Sequence, residues 1–168
     1  AIGILFGIMT IILIYLFFSN NIFFMWAFQR HRNILSWYIR PLFIIPIIWS
    51  AYKKMFSGIS ISIFVLFTSM FWFPKPNITN PEIAKFLNFE ANYLKSGWTI
   101  DKIVLVFIIV STWTKNWKLL LLILIATAIL KIFNSYLLTG KSALSMLKPA
   151  VAGLIVCVIA VFVLKKKN

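Results

Sequence analysis

Residues 119–138 read LLLLILIATAILKIFNSYLL, and Lys131 is the only charged residue in this run. A helix of about 20 residues extends about 30 Å, which matches the hydrocarbon thickness of a bilayer. Water is absent from that layer, so backbone N–H and C=O groups must find partners within the segment, as they do in a helix. The run therefore predicts a membrane-spanning α-helix.

Comparable apolar runs recur along the rest of the 168-residue chain. Hydrophobic residues make up 62% of the sequence, against about 45–50% in an ordinary soluble domain. Six runs are predicted to form helices, at about 2–28, 34–52, 55–73, 100–114, 119–138 and 149–164. Because they leave no room for a separate soluble domain, the sequence predicts one all-α polytopic membrane bundle over residues 1–168.

The charge balance is strongly basic, with 17 Lys and Arg against 3 Asp and Glu and a formal net charge of +14. Basic residues stand at the ends of the apolar runs, at Arg30, Arg32, Lys53, Lys54, Lys115, Lys118 and 165–167. This placement indicates helix-end anchoring and attraction to anionic lipids, and it does not resemble a nucleic-acid-binding face. We expect membrane lipids as partners, no nucleic acid, and a bacterial inner membrane with the C-terminus in the cytoplasm.

Two runs carry residues that should interrupt a helix. As one helix, the run 2–28 would be about 40 Å long, so it must tilt, protrude or break near 19–21. In the second run Arg40 precedes Pro41, and a proline disfavours helical geometry in the residue before it. We expect a break at Arg40, with the helix proper beginning at Pro41.

The number of membrane crossings has two interpretations. Hydropathy gives six, and a short similarity between 36–40 and 97–101 favours that count, because each opens an apolar run that reaches lysines. The positive-inside rule gives five, with 33–51 entering the membrane and returning on the same side. Arg30 and Arg32 would then face the same side as the other basic turns. Both counts stay open, with six slightly favoured.

The only long polar stretch is the connection at 74–99. Thr79 and Glu82 have the spacing of a capping box, and apolar residues recur at helical spacing after them. This pattern predicts a short amphipathic helix over about 81–95, lying at the membrane surface. On it, Glu82 and Glu90 are expected to form local ion pairs with neighbouring lysines.

The inventory of metal-binding and catalytic side chains is small. His31 is the only histidine and is expected in a polar loop at 29–33, and Cys157 is the only cysteine. These residues predict no metal site and no disulfide, and no cofactor-binding motif is present.

Four polar residues share one face of the run 119–138. Thr127, Lys131, Asn134 and Ser135 follow one another at spacings of four, three and one. An ionisable group at membrane depth costs at least about 2.5–3.5 kcal/mol, so this stripe either lines a solute path or anion site or serves packing. In the second interpretation Lys131 extends its ammonium group to the interface, while Asn134 and Ser135 join helices.

Arg40 is the other cation inside an apolar run. It is expected either to bind a lipid phosphate or an anionic substrate beside a proline-broken helix, or to lie at the interface just before the helix starts.

Small residues form two stripes that indicate close helix packing. One stripe lies on the run 55–73 and the other on the run 149–164. Their members are Gly58, Ser62, Val65 and Ser69 on the first, and Ala150, Gly153, Cys157 and Ala160 on the second.

Three functions are compatible with these residues. The leading hypothesis is a small transporter or channel for a solute or ion, such as an anion, built as a homo-oligomer. The alternative is a non-catalytic membrane subunit or lipid-binding scaffold that associates with a partner membrane protein. An intramembrane enzyme is a third hypothesis, with only three carboxylates, one histidine and one cysteine to supply its chemistry.

Overall fold

The structure is a computed structural model that describes residues 1–77, 80–95 and 100–167. These residues are helical almost throughout, with no β-strand among them, so the all-α prediction is confirmed. The helices are α1 (Ile2–Ser19), α2 (Asn21–His31), α3 (Ile34–Ile39), α4 (Ile44–Tyr52), α5 (Phe56–Thr68), α6 (Pro81–Lys95), α7 (Ile100–Trp113), α8 (Trp117–Thr139) and α9 (Leu147–Lys166). Short 3₁₀ turns, Arg40–Phe43, Ser69–Phe71 and Gly140–Met146, follow α3, α5 and α8.

Three helical stretches of the described chain are long and apolar enough to cross a membrane. They are Ile2–Ser19, Ile34–Tyr52 and Trp117–Lys166, and the last contains 50 residues that include both α8 and α9. Two further apolar stretches, Phe56–Phe71 and Ile103–Trp113, are shorter. These three stretches support the prediction of a helical membrane protein, while the predicted count of six helices is not confirmed.

The first apolar run breaks at Asn20. This residue has an extended backbone, and its side-chain oxygen accepts a hydrogen bond of 3.0 Å from the N–H of Phe23. Asn20 therefore ends α1 and caps α2. The run 2–28 was expected to tilt, protrude or break near 19–21, and the structure shows the break.

The second run is one helical stretch, Ile34–Tyr52, with a change of helix type at Arg40. Asn33 caps its start by accepting a hydrogen bond from the N–H of Leu35. The prediction that the helix proper begins at Pro41 is wrong, because this cap allows α3 to form before the proline.

Observed and predicted bounds of α6 to α9 agree within two residues, whereas α5 ends at Thr68, five residues before the predicted end at 73, and the 3₁₀ turn that follows it ends at Phe71. The predicted helix 81–95 is α6, where the side chain of Asn80 accepts a hydrogen bond of 2.9 Å from the N–H of Glu82. The predicted cap Thr79 lies outside the described residues.

Six helix ends meet at one end of the bundle, where α4, α7 and α9 terminate and α1, α5 and α8 begin. The Tyr52 ring lies 5.8 Å from the Trp117 ring, and the Lys167 ammonium lies 5.6 Å from the Trp49 ring. We call this region the lysine-rich end, after Lys53, Lys54, Lys115, Lys118 and 165–167. Beneath it lies an apolar core of Ile48, Ile108, Trp117, Leu120, Leu124, Cys157, Val161 and Leu164.

Two turns at the lysine-rich end have equivalent geometry. Lys54 and Lys115 adopt left-handed backbones, with φ of 55° and 56°. After the first, the N–H of Met55 donates to the carbonyl of Ser50 at 2.8 Å, and Asn116 and Ser111 form the matching bond after the second. The sequence similarity between 36–40 and 97–101 indicated two hairpins of one kind, and the turns of these two hairpins have the same geometry. Residues 97–99 of that similarity lie outside the described residues.

The amphipathic helix α6 packs on the bundle. Phe86 and Leu87 are buried against α2, α3 and the turn before α9, in a second core with Phe24, Phe28, Trp37, Met70 and Met146. Protein therefore covers the apolar face of α6, and its position at the membrane surface stays a prediction.

Candidate functional site

Four charged or titratable side chains from four elements converge beneath α6. His31 ends α2, Arg40 opens a 3₁₀ turn, Glu90 is on α6 and Lys131 is on α8. The Nε2 atom of His31 lies 3.6 Å from a Glu90 oxygen and 3.4 Å from Nη1 of Arg40. The Nζ atom of Lys131 lies 4.0 Å from the other Glu90 oxygen. We call these four residues the ionic cluster.

The two cations of the ionic cluster lie at similar depths in their helices. Arg40 follows Ile34 by six residues, or about 9 Å of helix, and Lys131 precedes Thr139 by eight residues, or about 12 Å. Both distances are measured from the end of the bundle opposite the lysine-rich end. The carboxylate of Glu90 reaches this depth because α6 is docked on the bundle.

His31 is 5% exposed and forms hydrogen bonds with Trp37 and Ser36. The N–H of the Trp37 ring donates to the His31 carbonyl at 2.9 Å, and Nδ1 of His31 lies 3.1 Å from Oγ of Ser36. The Ser36 hydroxyl donates its one proton to a backbone carbonyl, that of Asn33 at 2.8 Å. The Ser36 oxygen must therefore accept, which assigns the proton of neutral His31 to Nδ1.

In this tautomer the Nε2 atom of His31 can interact with the cation Arg40 or with the carboxylate Glu90, depending on its protonation. In the neutral ring Nε2 carries a lone pair and accepts a hydrogen bond from Arg40. In the protonated ring Nε2 carries a proton, which it can donate to Glu90 but not to Arg40. Protonation of His31 thus replaces an arginine contact by a carboxylate contact.

Burial and charge set the protonation states of the pair. Burial lowers the pKa of His31 below its ordinary value of 6.5, the contact with Glu90 opposes this shift, and the charge of Arg40 reinforces it. Burial alone would raise the pKa of Glu90, but the His31 contact and the positive charge of Lys131 outweigh burial and lower it to about 2. Near neutral pH, His31 is therefore uncharged and Glu90 is ionised.

The ionic cluster has a positive net charge and access to the surface. With His31 neutral, the formal charges of Arg40, Lys131 and Glu90 sum to +1. The Lys131 side chain is 44% exposed and the Glu90 side chain 20% exposed. An anion arriving at this surface would meet a cationic group at once.

The predicted polar stripe of α8 contributes Lys131 alone to the ionic cluster. Ser135 is buried and Thr127 is half-buried, while Asn134 is exposed. Among the expected site residues, the fold therefore brings together Arg40 and Lys131, which come from different apolar runs.

The small residues lie at close helix contacts. A Cβ added to Gly58 would stand 2.5 Å from Oγ of Ser50, and one added to Gly153 would stand 2.4 Å from Cβ of Pro41. The Cys157 thiol donates to the Pro41 carbonyl at 3.6 Å, one helical turn after Gly153. This contact with α9 therefore fixes the backbone beside Arg40.

The two serines of the first stripe bond to carbonyls of their own helical segment. The hydroxyls of Ser62 and Ser69 are buried and donate to the carbonyls of Gly58 and Leu66.

Sequence reasoning missed His31 and Glu90 as partners of the two cations. The expectation of a loop for His31 is wrong, because it belongs to the last turn of α2 and is buried. A signal was available: His31 follows buried Phe28 by three residues, and Glu90 follows buried Leu87 by three. Each polar side chain continues the apolar face of its helix.

Among the described residues, no group of three or more His, Cys, Asp and Glu side chains could hold a metal ion. In comparisons with known proteins, no family model, curated protein or solved structure matches this chain. Its function must therefore be inferred from the geometry of the ionic cluster.

Proposed function

We propose that this chain is a small integral membrane transporter that carries an anionic solute, with the ionic cluster as the solute site. The observation that supports the proposal is the meeting of Arg40 and Lys131 around Glu90. Charged groups inside apolar helices are costly, and those that face one another commonly mark a solute or proton pathway. The positive net charge of the ionic cluster favours an anion over a cation.

The chemistry of the cluster favours joint binding of a proton and an anion. A proton on His31 would raise the net charge of the cluster from +1 to +2, which is unfavourable in a partly buried site. An anion bound at the same time would restore the charge to +1. In this mechanism protonated His31 pairs with Glu90, while Arg40 and Lys131 bind the solute.

The proposed topology has six crossings: α1, the stretch Ile34–Tyr52, α5, α7, α8 and α9. The helices α2 and α6 would lie at the outer end. The seven lysines of the lysine-rich end stand close to helix ends in short connections, where the positive-inside rule applies most strongly. We therefore place this end, with the C-terminus, in the cytoplasm of a bacterial inner membrane.

Flux through reconstituted liposomes tests the proposal. Purified protein would be reconstituted, and uptake of chloride, inorganic phosphate, sulfate and succinate would be measured at pH 5.5 and 7.5 against protein-free vesicles. We expect at least one anion to enter faster at pH 5.5. Lys131→Ala should reduce that flux at least tenfold, and His31→Gln should remove the pH dependence.

Lys141→Ala is the matched control, since it removes an exposed lysine from the turn after α8. Equal flux in protein-free vesicles, or equal loss in the Lys131 and Lys141 variants, would refute the transport proposal.

A membrane subunit or lipid-binding scaffold is the second candidate. The observation that favours it is the outward face of α1, where only 11% of the stretch is buried within the chain. A second copy or a partner membrane protein could cover this face. Absence of flux together with a stable oligomer or complex in mild detergent would support this alternative.

A further inference from the structure

The carboxylate of Glu90 lies between two nitrogen groups that belong to different helices. One of its oxygens is 3.6 Å from Nε2 of His31 on α2, and the other is 4.0 Å from Nζ of Lys131 on α8. Each oxygen therefore has its own partner. The position between α2 and α8 fits two oxygens that share one carbon atom, which is the shape of a carboxylate.

Glu90 reaches this position from outside the apolar runs. Its helix, α6, belongs to the polar connection 74–99, whereas Lys131 lies within the apolar run of α8. An ionisable side chain within such a run needs a partner or a route to water. The bundle thus provides the cation, and a docked amphipathic helix brings the anion to it. A carboxylate on a free solute would have the same chemistry towards Lys131.

The contact between Glu90 and Lys131 is open to exchange. Charge-assisted hydrogen bonds between ammonium and carboxylate groups are about 2.7–2.9 Å long, so a separation of 4.0 Å is a loose ion pair. The Lys131 side chain is 44% exposed and the Glu90 side chain 20% exposed. An anion can therefore approach Lys131 from the surface, without passing through the buried part of the ionic cluster.

The helix α6 does not have to leave the bundle for this exchange. Its apolar face is buried, and polar contacts hold it at positions other than Glu90. The Lys95 ammonium donates to Oδ1 of Asn21 at 2.9 Å, and Nη2 of Arg32 donates to Oδ1 of Asn88 at 3.3 Å. Rotation of the Glu90 side chain, with α6 still docked, is enough to free the position beside Lys131.

We propose that Glu90 is a built-in occupant of the solute site, and that the solute is a carboxylate which takes its place beside Lys131. A carboxylate reproduces the planar pair of oxygens that the site already holds. Chloride offers a single centre, and phosphate and sulfate are tetrahedral. This inference rests on the proposed function, because it names the class of solute. Two sources share the chemistry: a small organic acid in water and a fatty acid in the membrane.

Removal of the built-in carboxylate should leave a site that an added carboxylate fills. Thermal unfolding of Glu90→Ala would be followed in detergent at pH 7 with acetate, propionate, octanoate, chloride or phosphate at equal ionic strength. A ligand that binds only the folded chain raises its unfolding temperature, and we expect the carboxylates to recover about half of the loss caused by the substitution. Chloride and phosphate should recover little. A stronger effect of acetate and propionate than of octanoate would identify the source as water, and the reverse order would identify it as the membrane.

Glu82→Ala is the matched control, since it removes another carboxylate of α6 that accepts a hydrogen bond from Ser142 and lies outside the ionic cluster. Added carboxylates should not raise its unfolding temperature above that of a chloride control. Lys131→Ala combined with Glu90→Ala should abolish the recovery, because the cation beside the vacated position is then absent.

Glu90→Asp keeps the charge and tests the proposal if Glu90→Ala does not fold. Its side chain is one methylene shorter, so the built-in carboxylate spans the distance to Lys131 less well and competes less with a solute. We expect it to bind acetate roughly tenfold more tightly than the wild-type chain, measured by titration calorimetry. Equal affinities in the two chains would overturn the role of Glu90 as an occupant.

Equal recovery of Glu90→Ala by chloride or phosphate, or equal recovery of Glu82→Ala by acetate, would overturn the carboxylate as the solute class. Wild-type liposomes that take up chloride or phosphate faster than succinate would overturn it as well, while leaving transport intact. Failure of the transport proposal gives a different result, because carboxylates would still stabilise Glu90→Ala although wild-type liposomes show no flux. A purely structural ion pair would show no selectivity among anions.

Discussion

The ionic cluster and the lysine-rich end are both cationic, but they differ in how their charge is held. At the lysine-rich end, seven lysines extend from helix ends and two aromatic rings support three of them. In the ionic cluster, Arg40 and Lys131 lie inside apolar helices around one carboxylate, Glu90. Water or lipid head groups screen the first set, whereas the second set depends on its partners within the chain.

The difference shows where a change of charge should matter for folding. Exposed ion pairs and single surface charges contribute at most about 1 kcal/mol, because solvent replaces a lost partner. Buried pairs differ, since removing one partner leaves the other charge uncompensated in a poorly polarisable environment. Stability should therefore respond strongly to changes at the ionic cluster and weakly to changes at the lysine-rich end.

The largest effect is expected for Glu90→Gln. Arg40 and Lys131 would lose the carboxylate between them, and the free energy of unfolding should fall by about 3 kcal/mol, reduced from the fully buried case because Glu90 retains some exposure. Thermal unfolding in detergent, followed by circular dichroism, measures this loss. Glu82→Gln is the matched change on the same helix and should cost less than about 1 kcal/mol, since Glu82 is exposed and the glutamine oxygen can still accept the hydrogen bond that the Ser142 hydroxyl donates to Glu82. Similar losses in the two variants would contradict the distinction between buried and exposed charge.

The next effect comes from the backbone support of the ionic cluster. In Gly153→Ala the added methyl group would stand 2.4 Å from Cβ of Pro41, so α9 and the turn that carries Arg40 must separate. We expect a loss of about 2 kcal/mol in the free energy of unfolding. Gly7→Ala on α1 has no heavy atom within 4 Å of the new Cβ and should instead gain up to about 1 kcal/mol through helix propensity. A neutral Gly153→Ala would show that this contact is looser than described.

These packing contacts illustrate how much of the molecule is predictable from its sequence. Apolar runs and caps are local signals, so the helix class, the break near Asn20 and the bounds of α6 could be predicted. The meeting of His31 with Glu90 could not, because it depends on α6 docking against α2 and α8. The position of Arg40 and Lys131 inside apolar runs identified them as candidate site residues. Only the tertiary structure reveals that both lie near the carboxylate of Glu90.

A smaller effect is expected from acidification. The pKa of His31 is lowered in the folded chain, mainly by burial, while Arg40 and Lys131 oppose its protonation and Glu90 and Ser36 contact the ring. Below pH 6.5 the unfolded chain therefore binds more protons than the folded chain, and stability should fall as pH decreases. The lowered pKa of Glu90 acts in the same direction, but only from about pH 4.5 downwards to about 2.

Unfolding temperatures at pH 7.5, 6.5 and 5.5 measure this slope, and His31→Gln should flatten it. If an anion binds together with the proton, adding a transported anion at pH 5.5 should recover part of the loss. An unchanged slope in His31→Gln would assign the pH dependence to another group.

The smallest effect is expected at the lysine-rich end, and it concerns the backbone more than charge. Lys54 has a φ of 55°, a left-handed conformation that a residue with a Cβ adopts at a cost of about 1 kcal/mol and that glycine adopts freely. Lys54→Gly should therefore raise the free energy of unfolding by up to about 1 kcal/mol. Lys53→Gly removes the same charge from the preceding residue, whose φ of −80° suits any side chain, and should be neutral or destabilising. If chemical denaturation instead showed equal destabilisation in both, then charge at this end would contribute to folding as it does in the ionic cluster, and the contrast between the two regions would fail.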